Sequence, residues 1–320
     1  MSGTWAGSMQ AALAASAGRP RWWLLALAAF LVRGGFIVVL LPLVSLPSAA
    51  ALATAFAPTI EALALGRQSI ESVLIGSALI GAVVAVIVVA AYTGSWLDDT
   101  LASEAETADE LDLRAGVVPP SAWRDLAIRF VAHLPTLIAL GYATVRIVIV
   151  TYEEFLSPGD PTVPIFVRVI TRAPDAIVVA AVTWLLGEAL GGLAARRAAE
   201  GESTGASLRG ALRDLVGRRG VATFVVTDAA VFGIVLLLLV VVGQATAHVR
   251  AYLLDGAPYP SIAAALLLLV ATWALALAVL GAALAWRATA WTIEAAPRRP
   301  TVAVPELGVE APATGEAPAG

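Results

Sequence analysis

Charged residues inside long apolar stretches are the feature of this sequence that most directly suggests chemistry. Five such residues stand out: Arg33, Glu71, Arg146, Glu188 and Asp228. A charged side chain in the centre of a bilayer costs from about 2.5 kcal/mol upward, so each of them needs a partner or a function. Their depths along the predicted helices place Arg33, Glu188 and Asp228 in one cluster in the inner-to-middle bilayer, and Arg146 with Glu71 in a second pair towards the outer side. Within the first cluster we expect Arg33 to pair with Asp228, with Glu188 as the alternative carboxylate.

The first cluster has three interpretations, which the sequence leaves open. The charges could line a substrate or ion pathway, as intramembrane ionisable residues often do. They could instead form structural ion pairs that fix the register of the helices. Finally, Arg33 could extend along its apolar stem towards the interface, with Gly34 and Gly35 marking a break in the helix.

Most other kinds of site are excluded by residue type. The chain contains no cysteine, which excludes disulfides, thiolate metal sites and cysteine nucleophiles. All 20 basic residues are arginine, so neither a Walker-type lysine nor a Schiff-base lysine exists. His133 and His248 lie far apart and on predicted opposite sides of the membrane, so no imidazole metal centre is expected. Because the G-x-S-x-G, H-E-x-x-H and G-x-G-x-x-G motifs are also missing, we predict no catalytic residue, no metal ligand and no cofactor-binding residue.

The composition predicts that lipid is the solvent for much of the surface. Of 320 residues, 59% are hydrophobic and 14% are charged, whereas an average soluble domain has about 25% charged residues. The mean hydropathy is +0.86. A soluble domain needs more polar side chains than this to cover its surface. The predicted fold class is therefore an all-α polytopic membrane protein, which has the lipid bilayer as a partner and binds no nucleic acid.

Six apolar stretches are long enough to cross a bilayer core of about 30 Å as helices, which takes roughly 20 residues each. They cover residues 22–46, 70–92, 130–151, 177–195, 221–242 and 262–286. We predict a bundle of six transmembrane helices in three hairpins, within a transmembrane domain of residues 22–292. Residues 1–21 are expected to form a flexible cytoplasmic N-terminus. Residues 293–320, rich in Pro, Ala, Gly and Glu, are expected to form a disordered cytoplasmic tail.

The distribution of arginine predicts the orientation of this bundle. With the N-terminus inside, fourteen arginines lie in cytoplasmic segments, four lie outside and two lie within the spans. Such an excess marks the cytoplasmic side of a membrane protein. The sequence therefore predicts a multi-pass protein of the bacterial inner (cell) membrane with both termini in the cytoplasm.

The second cytoplasmic loop is the most basic segment between the spans. Its residues 207–216 have a helical pattern and are predicted to lie on the inner leaflet. Arg209, Arg213, Arg218 and Arg219 are the candidate contacts of this loop with anionic phospholipids. Each arginine close to such a surface contributes about 1 kcal/mol to binding.

Four other segments carry weaker structural signals. Residues 96–113 are predicted to form an acidic helix on the inner side, and residues 165–170 a short interfacial helix on the outer side. Residues 51–65 are apolar but too short to cross the membrane, and the sequence does not distinguish a re-entrant from a surface-lying segment. The small-residue spacing of Gly187 and Gly191 indicates close packing of helices in the bundle rather than a dimer.

Three functions fit these features. The leading hypothesis is a non-enzymatic membrane module or scaffold for a membrane or cytoplasmic protein partner, because the sequence offers no nucleophile–base pair and no metal set. The alternative is a transporter or transporter subunit, supported by the intramembrane charges and by the glycine and proline pattern of the first span. An intramembrane enzyme is third, since only isolated carboxylates support it. A polar cavity that reaches Arg33 and Asp228 would favour transport, whereas a dry, ion-paired core would favour a structural role.

Overall fold

The computed structural model describes residues 4–43, 66, 70–108, 111, 122–157, 163 and 165–296. Regular structure within these residues is helical, with no strand. The helices in chain order are α1 (Trp5–Ala17), α2 (Pro20–Phe30), a π-helical turn (Leu31–Gly35), α3 (Phe36–Leu40), α4 (Ile70–Glu106), α5 (Ala122–Ala132), α6 (Leu134–Leu156), α7 (Ile165–Arg172), α8 (Pro174–Ala199), α9 (Thr204–Val216), α10 (Arg218–Leu254) and α11 (Tyr259–Ala295).

Six helical segments among the described residues are long and apolar enough to cross a membrane. They are Pro20–Leu40, Val73–Glu106, Leu134–Glu154, Pro174–Ala199, Arg218–Leu254 and Tyr259–Ala295. Each of them contains or overlaps one of the six predicted stretches. The protein is therefore an all-α, multi-pass membrane protein, as the composition and the length of the apolar stretches predict.

Several helices extend past the apolar stretch that predicts them. The second span is predicted to end at residue 92, but α4 continues to Glu106 and includes much of the acidic segment 96–113, which is not a separate helix. In the same way, α10 continues to Leu254, well beyond the predicted end at residue 242. The length of an apolar stretch indicates which part of a helix contacts lipid, but it does not determine where the helix ends. A proline would interrupt the helical backbone, and neither α4 nor α10 contains one, so both helices continue past their apolar stretches.

Two spans are interrupted where the sequence carries glycine or proline. In the first span the π-helical turn separates α2 from α3, and Gly34 adopts a φ of +101°, a conformation that favours glycine. A break at Gly34 and Gly35 is therefore present. In the third span, predicted over residues 130–151, α5 ends at Ala132 and α6 begins at Leu134, with Pro135 in its first turn. Proline lacks the N–H group that would continue the helix across this point.

Residues 1–21 are predicted to be flexible, but α1 occupies residues 5–17 of this segment. The prediction is corrected for these residues. The Thr4 hydroxyl caps this helix by accepting a hydrogen bond from the Gly7 N–H group. Trp5 Nε1 donates to Thr223 Oγ1 of α10 at 3.0 Å, and Trp286 Nε1 of α11 donates to the Met9 carbonyl at 3.2 Å. These bonds and the burial of small side chains fix α1 against the bundle, which a pattern of small, weakly polar residues does not reveal.

Close packing between helices is concentrated at the end of the bundle that carries α1, α5 and α9. The arginine distribution predicts this end to be cytoplasmic, and it is called the inner end below; α7 lies at the opposite, outer end. Trp22 of α2, Leu101 of α4 and Leu284 of α11 belong to one buried apolar core at the inner end. In the outer part of α4, by contrast, nearly all described side chains from Ile70 to Val89 are exposed. The charged site is built where the helices converge.

The helix in the second cytoplasmic loop begins earlier than predicted. Ser203 caps α9, and Ser207, at which the predicted helix begins, lies buried inside α9 with its hydroxyl donating to the Ser203 carbonyl. Ala211 and Leu215 are buried in the core that also contains α5, α8 and the end of α11. This loop helix is therefore part of the packed inner end.

The predicted outer helix at residues 165–170 is present as α7, which is slightly longer. The segment 51–65, predicted to be re-entrant or surface-lying, lies outside the described residues. So does most of the predicted tail 293–320, although α11 itself runs to Ala295.

Candidate functional site

Arg33 lies at the break in the first span, and its guanidinium contacts two carboxylates. Its Nη1 atom is 2.6 Å from Asp98 Oδ2 of α4 and 3.7 Å from Glu188 Oε2 of α8. A Cβ atom at Gly94, one turn before Asp98, would lie 2.7 Å from Arg33 Nε, so glycine provides the room for this approach. The predicted pair of Arg33 with Asp228 is wrong, because the described contacts of Asp228 are with another arginine. The alternative pairing with Glu188 is present.

Asp228 of α10 is paired with Arg287 of α11. The Arg287 Nη2 atom lies 3.0 Å from Asp228 Oδ1, and both side chains are largely buried. The two helices pack along their length, which brings the residues to the same level. Arg287 lies just past the predicted end of the sixth span at residue 286 and therefore belongs to the predicted cytoplasmic tail. Its position along the sequence did not indicate that it pairs with Asp228.

Asp98 links the first span to α5 through a second arginine. Its Oδ2 atom is also 3.1 Å from Arg129 Nη2, and Arg129 Nε is 2.8 Å from Asp125 Oδ2 one turn earlier in α5. Burial alone would lower the pKa of Arg129, but Asp125 and Asp98 raise it well above its ordinary value, so the guanidinium stays charged. All three residues lie outside the predicted spans, so the depth of residues along those spans does not identify them. The i, i+4 spacing of Asp125 and Arg129 was the available signal.

His133 lies between α5 and α6 and faces Glu188. Its Nε2 atom is 3.3 Å from Glu188 Oε1, and its Nδ1 atom is 2.8 Å from the Arg129 carbonyl oxygen. Because both ring nitrogens face acceptors, the geometry suits the doubly protonated imidazolium. Burial alone would lower the pKa of His133, but the nearby Glu188 carboxylate and the Arg129 carbonyl raise it above its ordinary value.

The two glycines of the predicted packing motif in the fourth span allow these contacts. A Cβ atom at Gly187 would lie 2.8 Å from His133 Cδ2, and one at Gly191 would lie 3.2 Å from Arg129 Cγ. Larger residues at either position would push α8 away from α5. The motif therefore serves packing within the bundle, and it holds Glu188 close to its cationic partners.

Arg196 is a buried guanidinium whose contacts among the described residues are all with neutral groups. It donates from Nε to Thr292 Oγ1 at 3.0 Å, from Nη1 to the Gly192 carbonyl at 2.8 Å and from Nη2 to the Ala288 carbonyl at 3.1 Å. Its exposed fraction is 8%, and none of the described carboxylates lies within ion-pair distance of it. The acidic side chains around it, which include Asp98, act from farther away. A buried cation without a contacting anion is costly and calls for an explanation.

The second predicted pair, Arg146 with Glu71, is also wrong. Arg146 Nε lies 3.7 Å from Asp175 Oδ2, at the beginning of α8, and the Tyr142 hydroxyl donates to the same carboxylate. Glu71 is exposed at the outer end of α4. The position of a residue along its span determines its depth in the bilayer, but it does not determine which helices are neighbours. Two residues at the same depth can therefore lie on opposite sides of the bundle.

A further ion cluster at the outer end joins α6 to α7. Glu154 is buried, and its two carboxylate oxygens lie 2.8 Å from Arg168 Nε and 2.7 Å from Arg172 Nη1. Arg172 also contacts the more exposed Glu153 at 3.1 Å. The two glutamates and two arginines balance each other's charges, and their ion pairs attach α7 to α6.

The candidate lipid-contact arginines line one surface of the inner end. Arg209, Arg213 and Arg218 have exposed side chains, and Arg219 is half-buried. The neighbouring Arg197 is instead turned inward, with ion pairs to Asp214 and Glu202. The exposed arginines therefore lie at the surface of the inner end, outside the buried core.

A cavity of about 510 Å³ connects the charged residues of the first cluster. Its walls come from the first span, α8, α10 and α11, with contributions from α4 and α5. The charged residues that line it are Arg33, Asp98, Arg129, Glu188, Arg196, Asp228 and Arg287. The cavity brings together the predicted Arg33, Glu188 and Asp228, although not in the predicted pairing. It does not include Arg146 or Glu71.

Several buried polar atoms in this cavity lack a hydrogen-bond partner among the described residues. They are the donors Arg33 Nη2, Arg287 Nε and Trp291 Nε1 and the acceptor Asp228 Oδ2. Buried polar groups are normally satisfied, so such atoms indicate space for water or a ligand. No group of three described His, Asp or Glu residues is placed to hold a metal ion.

No protein-family model, curated protein or solved structure matches this chain. The fold and the site therefore define the class of the protein: a multi-pass membrane protein whose bundle contains a charged, partly unsatisfied cavity at its inner half.

Proposed function

We propose that this protein is a membrane transporter, or the membrane-spanning subunit of one, and that its solute binds in the charged cavity. The observation that carries this proposal is the cavity of about 510 Å³ that reaches Arg33, Glu188 and Asp228 between membrane-crossing helices. A helix bundle stabilised only by structural ion pairs would have its charges packed without such a space. Ionisable residues within membrane helices commonly mark a substrate or ion pathway.

The interruption of the first span supports the same function. Arg33 sits beside Gly34, where the helical backbone is broken, and it faces the cavity. Transporters often build their binding sites from discontinuous membrane helices, because the break exposes polar backbone groups to the solute. The break also provides a place where α3 can move relative to α2.

The scaffold hypothesis is the second candidate, and a separate observation favours it. The outer part of α4, residues 70–89, is exposed on nearly every described face and contains the small residues Ser77 and Gly81, whose surroundings are open. Another membrane helix could pack there. A scaffold would use this face and leave the cavity without a solute.

The proposal includes the topology that the sequence predicts. In it, the six membrane-crossing helices form three hairpins in the inner membrane with both termini in the cytoplasm, and α7 and α9 lie at the two interfaces. Arg209, Arg213 and Arg218 would then face anionic phospholipids of the inner leaflet, with Arg219 beside them. The arginine distribution supports this orientation.

Cysteine labelling tests whether the cavity is open to water, as transport requires. Because the chain has no cysteine, a single introduced thiol is the only one. Ala288→Cys places a thiol in the cavity, and Leu275→Cys places one on the exposed face of the same helix. We expect a charged, membrane-impermeant thiol reagent to modify Ala288→Cys but not Leu275→Cys, which faces lipid. Failure of Ala288→Cys to react from either side of the membrane would refute the transporter proposal.

A further inference from the structure

The cavity is charged towards the inner end and apolar towards the middle of the membrane. On α10, Asp228 is followed outward by Val231 and Val235, which line the cavity at helical spacing. On α8, Trp184 lines it one turn outward of Glu188. A molecule that fills this space must therefore be amphipathic, with a polar group at the inner end and an apolar part that points to the bilayer centre.

The apolar wall is open to the bilayer between α8 and α10. Three residues that line the cavity are also substantially exposed: Trp184 is 44% exposed, Phe232 62% and Leu236 46%. Because these positions lie within membrane-crossing helices, the medium that reaches them is lipid. An amphipathic molecule of the inner leaflet could enter by this route with its polar group remaining near the interface and its tail remaining in hydrocarbon.

The unsatisfied groups at the charged end select for an anion. Each carboxylate that lines the cavity is contacted by at least one cation: Asp98 and Glu188 by Arg33, and Asp228 by Arg287. Arg196 is the lining cation with no contacting carboxylate among the described residues, and it uses three of the five N–H donors of a guanidinium.

Two further donors without described partners belong to residues that line the cavity. Trp291 is only 4% exposed and its Nε1 donor has no partner among the described residues, as is also true of Arg287 Nε. Donors outnumber acceptors among these unpartnered atoms, and the Arg196 guanidinium has no contacting counter-ion within the described part of the chain. An oxyanion such as a phosphate or a carboxylate would satisfy both needs, because it accepts several charge-assisted hydrogen bonds.

Resting on the proposed function, we infer that the solute is an anionic amphipath, with a phosphate or carboxylate group and an acyl-like tail. Its anionic group binds Arg196, Arg287 and Trp291, and its tail lies along the apolar wall of α10 and leaves through the opening at Phe232 and Leu236. Lipid-sized molecules of the inner leaflet have this chemistry. A free inorganic anion shares the head group but cannot use the apolar wall.

Lipid binding to the full-length purified protein tests this assignment. The probes are dioleoyl phosphatidic acid, dioleoyl phosphatidylcholine and inorganic phosphate, each titrated in detergent with bound ligand counted by native mass spectrometry. We expect phosphatidic acid to bind about tenfold or more tightly than phosphatidylcholine, and phosphate alone not to bind measurably. Arg196→Gln should abolish this preference, whereas Arg21→Gln, at an exposed position in α2 at the inner end, should leave it unchanged. An equal loss in both variants would mean that the lipid binds at the surface, and would overturn the assignment.

A second pair of variants tests the tail without touching any charge. Leu236→Trp narrows the opening, and Leu237→Trp makes the same change at an exposed neighbour that does not line the cavity. We expect Leu236→Trp to weaken binding of phosphatidic acid about tenfold or more and Leu237→Trp to have no effect. Equal binding by both variants, or tight binding of phosphate alone, would show that the tail does not occupy the cavity.

The outcomes separate this inference from the proposed function. If Ala288→Cys is labelled but no lipid preference depends on Arg196, the cavity conducts a solute of another class and the inference fails alone. If Ala288→Cys is not labelled but phosphatidic acid binding depends on Arg196 and Leu236, the site holds a structural lipid and the transporter proposal fails alone.

Discussion

Arg287 Nη2 lies 3.0 Å from Asp228 Oδ1, so α10 and α11 are joined by an ion pair inside the bundle. Arg33 contacts Asp98 and Glu188 rather than Asp228. The first span is therefore connected electrostatically to α4 and α8, while the last two spans are connected to each other. The stability of the bundle should reflect this division.

Asp228→Leu and Arg287→Leu should each destabilise the protein, because each leaves one charge largely buried without its partner. The double variant should recover part of the loss, since two apolar side chains suit this environment. We expect a coupling energy of about 1–3 kcal/mol in a double-mutant cycle followed by unfolding in detergent. The matching cycle of Arg33→Leu with Asp228→Leu should give a coupling energy near zero. A large coupling in the second cycle and none in the first would contradict the observed pairing.

Gly34→Ala should lower the free energy of unfolding by about 1 kcal/mol or more, because the φ of +101° strains any residue with a Cβ atom. The space around Gly34 is open, so the effect reports the backbone alone. Gly141→Ala in α6, also in open surroundings but with a helical φ, is the control. It should be neutral or stabilise the helix by up to about 1 kcal/mol. Equal effects at both sites would argue against a fixed break in the first span.

The contact of His133 with Glu188 should make stability depend on pH. The pKa of His133 is raised in the folded protein above its ordinary value of about 6.5. Its contribution is therefore fully present below about pH 6.5 and is lost as the pH rises through the higher folded value. Thermal unfolding measured from pH 6 to pH 9 should show this loss, and His133→Gln should remove that part of the dependence. His248→Gln, at an exposed position in α10, should retain it. An unchanged pH profile in His133→Gln would mean that another group is responsible.

The predicted orientation can be measured with the same cysteine-free background. Arg209→Cys in α9 is exposed at the inner end, and Asp255→Cys lies in the turn between α10 and α11 at the outer end. In intact cells we expect an impermeant thiol reagent to label Asp255→Cys, and Arg209→Cys only after the membrane is permeabilised. The reverse pattern would mean that the arginine excess lies outside and that both termini do too.

The sequence predicted the number and place of the membrane-crossing helices because bilayer thickness sets their length. It could not predict which charges meet. Asp98, the main partner of Arg33, lies beyond the predicted end of the second span and was assigned to an acidic surface helix. A depth estimated from apolar length assumes that each helix ends at the membrane boundary, but α4 continues as a helix past residue 92 and includes Asp98. Depth also contains no information on which helices are neighbours, so Arg146 and Glu71 were paired although their helices do not bring them together.

The break at Gly34 and the glycines of α8 show the opposite case, in which local sequence was informative. Glycine at position 34 is required by the backbone, and glycines at 187 and 191 are required by the approach of α5. The need for glycine at these positions arises from the local backbone or from one neighbouring helix, so the spacing of glycines in the sequence was enough to indicate it. The neutral contacts of Arg196 with Thr292 and Ala288 depend on how α8 packs against α11, and no pattern along the sequence predicts that packing.

The convergence of the helices at the inner end has a consequence for how the protein responds to its membrane. Nearly all described side chains along the outer part of α4, from Ile70 to Val89, are exposed, and in a membrane-crossing helix such side chains face acyl chains. The separation of the outer helical segments is then set by bilayer thickness and by the order of those chains, while the inner ends stay joined. A thicker or more ordered bilayer would tilt the helices differently about their common inner ends and change the width of the opening between α8 and α10. Lipid composition would in this way regulate the protein through its shape, independently of any lipid that binds in the cavity.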